Sequence, residues 1–439
     1  MKRVYIKTFG CQMNEHDSER IAGLLRDQGF IRANSADEAD LIVLNTCSIR
    51  EKSEQKAFSE LGRYVQLKQT RPNLRLALAG CVAQQEGAQS LKRFPGLDLV
   101  FGSSNIENIP AMIERHDRFQ LPVLMTDEPV TPPKSTPAIR GDRIRAWVSI
   151  MEGCDRHCAF CVVPYTRGSE RSRPSSDIVE EVRHLVANGY KEVTLLGQTV
   201  NSYGKSLNEG GDFAELLARL DAVPGLERIR FTSPHPCDMT PKAIDAMARL
   251  PKVCPHLHLP LQSASDRMLA AMARGYTFEA YCQIAARFRS AVPAGALTTD
   301  LIVGFPSETE ADFEQTYQAV ADLGFDHIYA FKYSRRPNTP AAVLADQIPE
   351  EVKDDRLRRL LELNRDASLN RNLKLVGTVT TLLIEGRSAR NPTKLTGRTG
   401  SNKVAHVRGD DGLIGSLVHT RVTGATASYL DAELLEARV

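Results

Sequence analysis

Strand-like apolar runs alternate with amphipathic segments over the first 115 or so residues. The runs KRVYIKTFG, DLIVLNT, RLALAG and LDLVFG have strand-like composition, and segments of helical periodicity, such as HDSERIAGLLRDQGF, lie between them. Continuous apolar strands separated by helices are typical of a parallel sheet that is covered on both faces. The pattern therefore predicts an α/β domain over residues 1–119.

A second α/β pattern follows a proline-rich segment over residues 120–139, which we predict to be an extended linker. From residue 140 to 373, helical segments separate six strand-like runs, which are RAWVSIM, EVTLLG, RIRFTS, HLHLPL, ALTTDLIVG and HIYAFKY. Such repeated strand–helix units predict a partial or complete parallel (β/α)6 barrel. Within it, the spacing Ser307-x-x-Glu310 suggests a helix capping box.

The pattern changes again near Val376. Short strands punctuated by glycines, such as TVTTLLIEG and SLVHTRVTGATASYLDAEL, fill the segment 374–439. They predict a small antiparallel β-barrel of OB-like size.

The composition excludes some classes of protein but does not indicate a function. The 439 residues are 42% apolar, carry a formal charge of +2 and include nine cysteines. This charge is too weak to imply nucleic-acid binding by the whole surface, so such binding requires a local patch. MKRVYIKTFG lacks the apolar core of a secretory leader, and no apolar run approaches about 18 residues. We expect a cytoplasmic monomer without membrane segments, in which grouped cysteines indicate metal binding or catalysis.

Three cysteines stand together in MEGCDRHCAFCVVPYTRG. Cys154, Cys158 and Cys161 follow the run RAWVSIM, so they are expected at the carboxyl end of the first barrel strand, where barrel enzymes place their chemistry. Three thiolates on one loop can bind three irons of a 4Fe–4S cluster and leave the fourth iron open. The alternative is a zinc site completed by His157 or another residue.

Three further cysteines are far apart in sequence but share a setting. Cys11, Cys47 and Cys81 each follow a predicted strand of the first domain. Because the carboxyl ends of parallel strands share one edge of a sheet, these thiols are expected to meet there. The alternative is that they are buried, unreactive cysteines.

Several longer motifs resemble one known family. The C-x-x-x-C-x-x-C loop resembles the radical S-adenosylmethionine superfamily, and TFGCQMN, NTCSIRE and AGCVAQ are similar to the amino-terminal domain of its methylthiotransferases. LLGQTVNSYG, LHLPLQSASDRML, TTDLIVGFPSETEADF and YSRRPNTPAA fit as well, so the resemblance covers nearly the whole chain. It implies an auxiliary-cluster domain (1–119), a radical core (140–373) and a TRAM module (374–439).

The resemblance also implies a chemistry. Cys11, Cys47 and Cys81 would hold an auxiliary 4Fe–4S cluster, and Cys154, Cys158 and Cys161 would hold the cluster that cleaves S-adenosylmethionine. Two molecules of this cofactor would be used per turnover: one methylates a sulfur on the auxiliary cluster, and the other forms the radical that abstracts hydrogen from the substrate carbon.

GCDRHCAFCVVPYTRGSERSRP most resembles the branch that adds a methylthio group to C2 of N6-isopentenyladenosine 37 in the tRNA anticodon stem-loop. Sister branches act on threonylcarbamoyladenosine in tRNA or on an aspartate of a ribosomal protein. A non-catalytic zinc protein that binds RNA is the alternative from a different class. Expected partners are tRNA, an electron donor such as flavodoxin or ferredoxin, and proteins that supply iron–sulfur clusters or sulfur.

Other polar residues are predicted to contact the cofactor or the substrate. Residues at or near strand carboxyl ends that could line the cavity are Gln198, Asn201, Gln262, Ser263 and Asp300, although loop hydrogen bonding would explain them equally well. An uninterrupted basic stretch in the tail could bind RNA phosphates or could be a solvated face; its members are Arg387, Arg390, Lys394, Arg398, Lys403 and Arg408. Just beyond the cysteine loop, Arg167, Arg171 and Arg173 are also predicted to contact RNA.

Overall fold

The computed structural model describes residues 1–48, 51–127, 136–207 and 210–435. Its first domain contains a parallel sheet of strand order β2-β1-β3-β4-β5-β6, with apolar clusters on both faces. The strands are β1 (Lys2–Thr8), β2 (Phe30–Arg32), β3 (Leu41–Thr46), β4 (Arg75–Gly80), β5 (Leu99–Phe101) and β6 (Val123–Met125). The helices are α1 (Gln12–Asp27), α2 (Glu51–Thr70), α3 (Cys81–Glu86), α4 (Ala88–Arg93) and α5 (Ile109–Phe119). The predicted parallel sheet is confirmed.

Two edge strands of this sheet were not predicted. Strand β2 pairs with β1, and β6 pairs with β5 although it lies inside the predicted linker. Each has three residues, which is too short for a strand periodicity to be recognised. The centre of the predicted linker, 128–135, lies outside the described residues.

The second domain is a partial barrel of parallel strands, as predicted. Two three-stranded sheets, of order β11-β10-β7 and β12-β13-β14, are joined by a parallel bridge between Ile229 and Val253. The strands are β7 (Arg145–Ser149), β8 (Met151–Glu152), β9 (Arg171–Ser172), β10 (Glu192–Leu196), β11 (Arg228–Phe231), β12 (His256–His258), β13 (Ala296–Val303) and β14 (His327–Lys332). Of these, β8 and β9 form a separate short antiparallel pair.

The helices of this domain are α6 (Val163–Arg167), α7 (Ser175–Ala187), α8 (Phe213–Asp221), α9 (Pro241–Arg249), α10 (Asp266–Ala271), α11 (Phe278–Ala291), α12 (Glu310–Leu323) and α13 (Glu350–Leu373). Most of them cover the outside of the partial barrel and pack on one large apolar core, whereas α6 and α10 do not contribute to that core. In the part of the chain that the structure describes, no helix combines the length and apolarity needed to cross a bilayer.

The start of α12 differs from the capping-box prediction. The cap is Thr309, which bonds reciprocally with Asp312, whereas Ser307 lies in the left-handed region with φ 67°. A residue in that conformation cannot occupy the extended N-cap position. The predicted Ser307–Glu310 box is therefore wrong by two residues.

The tail forms a closed barrel of strand order β15-β16-β17-β19-β18. Its strands are β15 (Val379–Arg387), β16 (Lys394–Thr399), β17 (Val404–Arg408), β18 (Leu417–Ala425) and β19 (Leu430–Leu434). Neighbours are antiparallel except β17 and β19, which pair in parallel, because a closed ring with an odd number of strands cannot alternate throughout. The predicted small barrel is confirmed; residues 436–439 lie outside the described part.

Candidate active site

The three-cysteine loop leaves β8 and returns through α6 to β9. It is held at its base by Gly153, whose amide donates to Oε1 of Gln198 at 2.7 Å, and by a bond of 3.0 Å from the Cys154 amide to the carbonyl of Gly168. Gly153 has φ 81°, and a Cβ there would lie 1.9 Å from the carbonyl oxygen of Ser169. A larger residue would therefore open the loop that presents the thiols.

Hydrogen-bond donors surround two of these sulfurs. The Thr199 hydroxyl lies 3.3 Å from Sγ of Cys154, which also accepts from the amide of Arg156 at 3.4 Å. Nη1 of Arg274 donates to Sγ of Cys158 at 3.2 Å. Sequence reasoning missed Thr199 and Arg274, since both are distant from the cysteines along the chain. Thr199 lies within the motif LLGQTVNSYG but was not singled out in it, and Arg274 lies outside the quoted motifs.

Burial favours the protonated form of two of the three thiols, Cys154 and Cys161. It raises the pKa of Cys161 to about 12 and also raises the pKa of Cys154, in spite of the donors around Cys154. Because metals bind the thiolate, loading this loop would release protons and would depend on pH.

The second cysteine set meets at one edge of the first sheet. Strands β1, β3 and β4 are neighbours, with Thr8 opposite Asn45 and Thr46 opposite Gly80, so the cysteines that follow them share the carboxyl edge. A hydrogen bond from Cys47 is the main reason that the pKa of Cys11 falls to about 6, against the effect of burial. The Cys11 amide and thiol both lie 3.4 Å from Oδ1 of Asn14.

Arg167 connects the two sets. It lies on α6, directly after the first loop, and its Nη2 donates to Oδ2 of Asp17 on α1 at 2.7 Å. Both side chains are buried. Burial lowers the pKa of Arg167, but the charges of Asp17, Cys81, Glu152 and Cys11 outweigh it and hold this pKa well above its usual value. Among the described residues, Nη1 of Arg167 has no hydrogen-bond partner.

One cavity of about 1990 Å3 is lined by both cysteine sets, through Cys11 and Cys161. Inward-facing strand residues complete its wall, including Trp147, Thr194, His258, Asp300 and Tyr329. Typical ligand pockets hold roughly 300–1,000 Å3. This cavity therefore has room for a cofactor and part of a macromolecular substrate together.

The C-terminal barrel closes the amino end of the partial barrel. Arg228 donates to the carbonyls of Thr381 and Arg398 at 2.8 and 2.7 Å, and Arg230 donates to those of Thr399 and Gly400 at 2.7 and 3.0 Å. This docking places the hairpin that joins β16 to β17, with Arg398 and Asn402, in the cavity wall.

The predicted cavity residues separate into two groups. Gln262 and Asp300 line the cavity, and Oδ2 of Asp300 lies 3.4 Å from Nε2 of His258. Inside the protein, Asn201 exchanges two 2.8 Å bonds with the backbone of His235, while the Ser263 hydroxyl lies 3.2 Å from that of Thr316. Gln198 supports the cysteine loop, as described above. Contact of any of these residues with cofactor or substrate stays a prediction.

The structure does not place Arg167 or Arg173 where RNA could reach them. Arg167 is bonded to Asp17, and Arg173 is bonded to the Ser149 carbonyl and to Glu181 at 2.6 and 2.8 Å; both are buried. Arg171 is half-buried and lies 3.3 Å from the Ser104 hydroxyl. All three side chains are turned inward, onto the first domain or the barrel wall, and they stabilise the position of the cysteine loop.

Within the basic stretch of the tail, several side chains have acidic partners. Arg387 pairs with Asp411, Lys394 with Asp431, Arg398 with Glu385 and Lys403 with Asp326, at 2.8, 2.6, 3.4 and 3.0 Å. Arg390 and Arg408 are exposed. Their role in RNA binding stays a prediction, and these two exposed arginines fit it best.

The donor set suits a four-iron cluster, because three thiols on one loop can each bind a different iron of the cube. Over the described ranges, no group of three or more His, Cys, Asp or Glu side chains is arranged to hold a single metal ion. Donors aimed at Cys154 and Cys158 also match the hydrogen bonding that such sulfurs receive.

Three family profiles match successive parts of the chain. They are Uncharacterized protein family UPF0004 over residues 3–102, the Radical SAM superfamily over 148–320 and the TRAM domain over 373–435. The superfamily match implies a 4Fe–4S cluster and S-adenosylmethionine as cofactors.

Full-length relatives are named tRNA-2-methylthio-N(6)-dimethylallyladenosine synthase. That of Carboxydothermus hydrogenoformans is 46% identical, with 99% of each chain covered. That of Desulforamulus reducens is 45% identical over 99% of this chain and 96% of its own, and that of Bordetella avium is 46% identical over 98% and 91%.

Solved structures share the fold at low identity. The radical S-adenosylmethionine methyltransferase TsrM from Kitasatospora setae, solved with cobalamin and a [4Fe-4S] cluster, matches with a TM-score of 0.57 and 14% identity over 78% of this chain and 74% of its own. The cobalamin-dependent radical enzyme OxsB matches with a TM-score of 0.53 and 12% identity over 82% and 56%.

Proposed function

The chain belongs to the family of tRNA-2-methylthio-N(6)-dimethylallyladenosine synthases, and from this premise we propose that it adds a methylthio group to C2 of N6-isopentenyladenosine 37 in tRNA. The observation that carries the proposal is the single cavity lined by Cys11 and Cys161. A reaction that joins a radical carbon to a sulfur needs both centres to face one substrate atom.

In this proposal Cys154, Cys158 and Cys161 hold one 4Fe–4S cluster and Cys11, Cys47 and Cys81 hold the other. When bound, the clusters and two molecules of S-adenosylmethionine supply the radical and the methylated sulfur. Thr199, Arg156 and Arg274 orient and polarise the first set of sulfurs. Asn14 orients Cys11, and Arg167 brings a positive charge to the second set.

The cavity wall would bind the substrate and exclude water. Trp147, Phe160, Ile302 and Tyr329 give it apolar and aromatic surface, which suits an unstacked base and a prenyl group. Asp300 and Gln262 would provide the polar contacts for the cofactor or the base. The tRNA would enter from the cavity mouth, with Arg390 and Arg408 attracting its phosphates.

An anaerobic assay tests this function. Purified protein is incubated with S-adenosylmethionine, a low-potential reductant and a prenylated anticodon stem-loop, and the nucleosides are analysed by mass spectrometry. We expect both 5′-deoxyadenosine and the methylthio nucleoside. The Cys154→Ala variant should form neither product, whereas Cys11→Ala should form 5′-deoxyadenosine but no methylthio nucleoside.

Two kinds of result would contradict the proposal in different ways. Turnover of a threonylcarbamoyladenosine stem-loop or of a ribosomal-protein aspartate, but not of the prenylated RNA, would favour a sister activity. Colourless protein that contains zinc, in place of roughly eight irons for two four-iron clusters, would favour a binding protein. The proposal also includes an electron donor, such as flavodoxin or ferredoxin, and a protein that supplies sulfur. The proposed location is the cytoplasm.

A further inference from the structure

Arg274 is a buried arginine whose charge is directed at one sulfur of the proposed radical cluster. Its Nη1 donates to Sγ of Cys158 at 3.2 Å, its Nη2 to the carbonyl of Pro260 at 3.3 Å and its Nε to the hydroxyl of Tyr276 at 3.2 Å. The residue is 6% exposed. Each nitrogen of the guanidinium therefore donates a hydrogen bond, and these three bonds fix the orientation of the guanidinium toward the Cys158 sulfur.

The backbone around Arg274 is shaped to hold this position. Ala273 has φ 54° and Gly275 has φ 75°, so the arginine stands between two left-handed residues. For alanine this conformation costs roughly 1–2 kcal/mol, and such strain persists where the surrounding structure enforces it. The same turn is bonded to the cysteine loop, since the amide of Ala159 donates to the carbonyl of Met272 at 2.9 Å.

The three cysteines of the loop are not equivalent. Cys154 bonds with neutral groups: its sulfur lies 3.3 Å from the Thr199 hydroxyl and accepts from the Arg156 amide, while the Arg156 guanidinium turns away to Asp238 at 2.6 Å. Cys161 faces the cavity. Among the described residues, Cys158 alone of the three has a hydrogen bond from a charged side chain.

We propose that Arg274 is a positioning residue that raises the reduction potential of the cluster held by Cys154, Cys158 and Cys161. This inference rests on the proposed function, which places a cluster there. One electron passes from a one-electron carrier to the cluster, and no bond is made or broken at Arg274. Because the reduced cluster is more negative than the oxidised one, a buried positive charge on a ligand sulfur stabilises the reduced form more. Without it, the donor would reduce the cluster less completely.

A redox titration tests the proposal. Replacing Cys11, Cys47 and Cys81 with alanine leaves one cluster, whose reduction is followed by electron paramagnetic resonance in this background with Arg274, Arg274→Met or Arg274→Lys. At the potential where half of the Arg274 clusters are reduced, we expect the Arg274→Met variant to show at least a tenfold lower ratio of reduced to oxidised cluster. For a one-electron couple this equals a shift of about 59 mV to lower potential. The Arg274→Lys variant should lie between the two.

The matched control is Arg289→Met in the same background. Arg289 is a half-buried arginine that donates to the carbonyls of Leu323 and Gly324, both at 2.8 Å, and it makes no bond to the cysteine loop. Its substitution should leave the ratio unchanged within twofold. A ratio in Arg274→Met that stays within twofold of the parent, at equal iron content, would overturn the proposal, as would an equal shift in the Arg289 variant.

A second measurement is made on the background protein with Arg274 retained, and it tests the bond from the guanidinium to the cluster if Arg274→Met fails to bind iron. The background protein is grown with arginine that carries 15N in the guanidinium, and the reduced cluster is examined for hyperfine coupling to 15N. Coupling that is lost in Arg274→Lys supports the proposal, and absence of coupling overturns it. A background protein without any four-iron cluster would contradict the proposed function instead.

Discussion

At the scale of single residues, the buried charges between the cysteine sets are the most informative side chains. Arg167 and Asp17 are both removed from water and pair at 2.7 Å, and Arg20 adds a 3.2 Å pair with Glu152 on β8. Breaking one member of such a pair costs about 3–5 kcal/mol, whereas replacing both can be neutral. Replacing Arg167 and Asp17 together therefore allows the effect of the buried charge on the reaction to be measured without a large loss of stability.

We predict that Arg167→Met combined with Asp17→Asn gives a folded protein that is defective in sulfur transfer. No buried charge is left unpaired, but the positive charge beside Cys11 and Cys81 is gone. The yield of methylthio nucleoside per 5′-deoxyadenosine should fall at least tenfold, as measured by mass spectrometry. An unchanged ratio would show that the charge has no part in sulfur transfer.

His256 at the barrel wall predicts a pH dependence of stability. Burial, followed by the charge of Arg230, lowers the pKa of His256 to about 3, so it stays neutral in the folded state while the unfolded chain takes up a proton below about pH 6.5. Stability should fall as pH drops from about 6.5 toward 3, by at most about 1.4 kcal/mol per pH unit.

Urea unfolding between pH 5 and 7, followed by the fluorescence of Trp147, measures this slope. His256→Gln should reduce the slope, since glutamine does not titrate, while His184→Gln on the outer face of α7 serves as control. Equal slopes in wild type and His256→Gln would contradict the assignment.

At the scale of helices and strands, long periodic elements could be predicted from the sequence and short ones could not. The six barrel strands and the α/β alternation of the first domain follow from hydrophobic periodicity. The three-residue strand β6 inside a proline-rich segment does not, because backbone pairing at a sheet edge places it there. The same contrast holds for the site. The positions of the cysteines after strands can be read from the sequence. The hydrogen bond between Arg274 and Cys158 cannot, because the two residues are 116 positions apart and are brought together by the turn after α10.

The junction of β4 and α3 gives a prediction at this scale. Gly80 has φ 89°, and a Cβ on it would lie 2.4 Å from the carbonyl oxygen of Thr46, which precedes Cys47. Gly80→Ala should push β3 and β4 apart at the edge where Cys47 and Cys81 meet. We expect iron to fall from roughly eight to roughly four atoms per chain, with the signal of the other cluster retained.

Iron analysis and electron paramagnetic resonance report this loss. Gly62→Ala on α2 is the matched control, since a Cβ there meets nothing within 4 Å and alanine favours a helix by about 1 kcal/mol. Full iron content in Gly80→Ala would show that the edge tolerates the added methyl group.

At the scale of the whole molecule, the three folded units contribute to one cavity. The first sheet supplies Cys11, the partial barrel supplies Cys161 and most of the wall, and the C-terminal barrel supplies Arg398 and Asn402. Their order along the chain could be predicted from the sequence. Their mutual placement could not, because it depends on contacts such as that of Arg167 with Asp17, between residues 150 apart in the chain.

We predict that Arg228→Met and Arg230→Met, combined with Glu192→Gln so that the carboxylate 2.9 Å from Nε of Arg230 is not left buried and unpaired, loosen the C-terminal barrel. Four hydrogen bonds to its carbonyls are lost, so the hairpin with Arg398 and Asn402 would leave the cavity wall. Affinity for the prenylated stem-loop should fall about tenfold, as measured by fluorescence anisotropy, with iron content unchanged. Arg287→Met, which removes only a surface pair with Asp245 of small energy, should bind as wild type does.

The bonds from Arg228 and Arg230 end on main-chain oxygens of β15 and of the β16–β17 hairpin, and such oxygens are present whatever side chains these segments carry. These four bonds consequently do not depend on side-chain identity in the C-terminal barrel, whereas the pair of Lys403 with Asp326 at 3.0 Å does. Hairpins of equal length that keep Lys403 could therefore be exchanged between homologues while the C-terminal barrel stays attached. The side chains that this hairpin presents to the cavity, such as Arg398 and Asn402, could then differ while both cysteine sets stay unchanged.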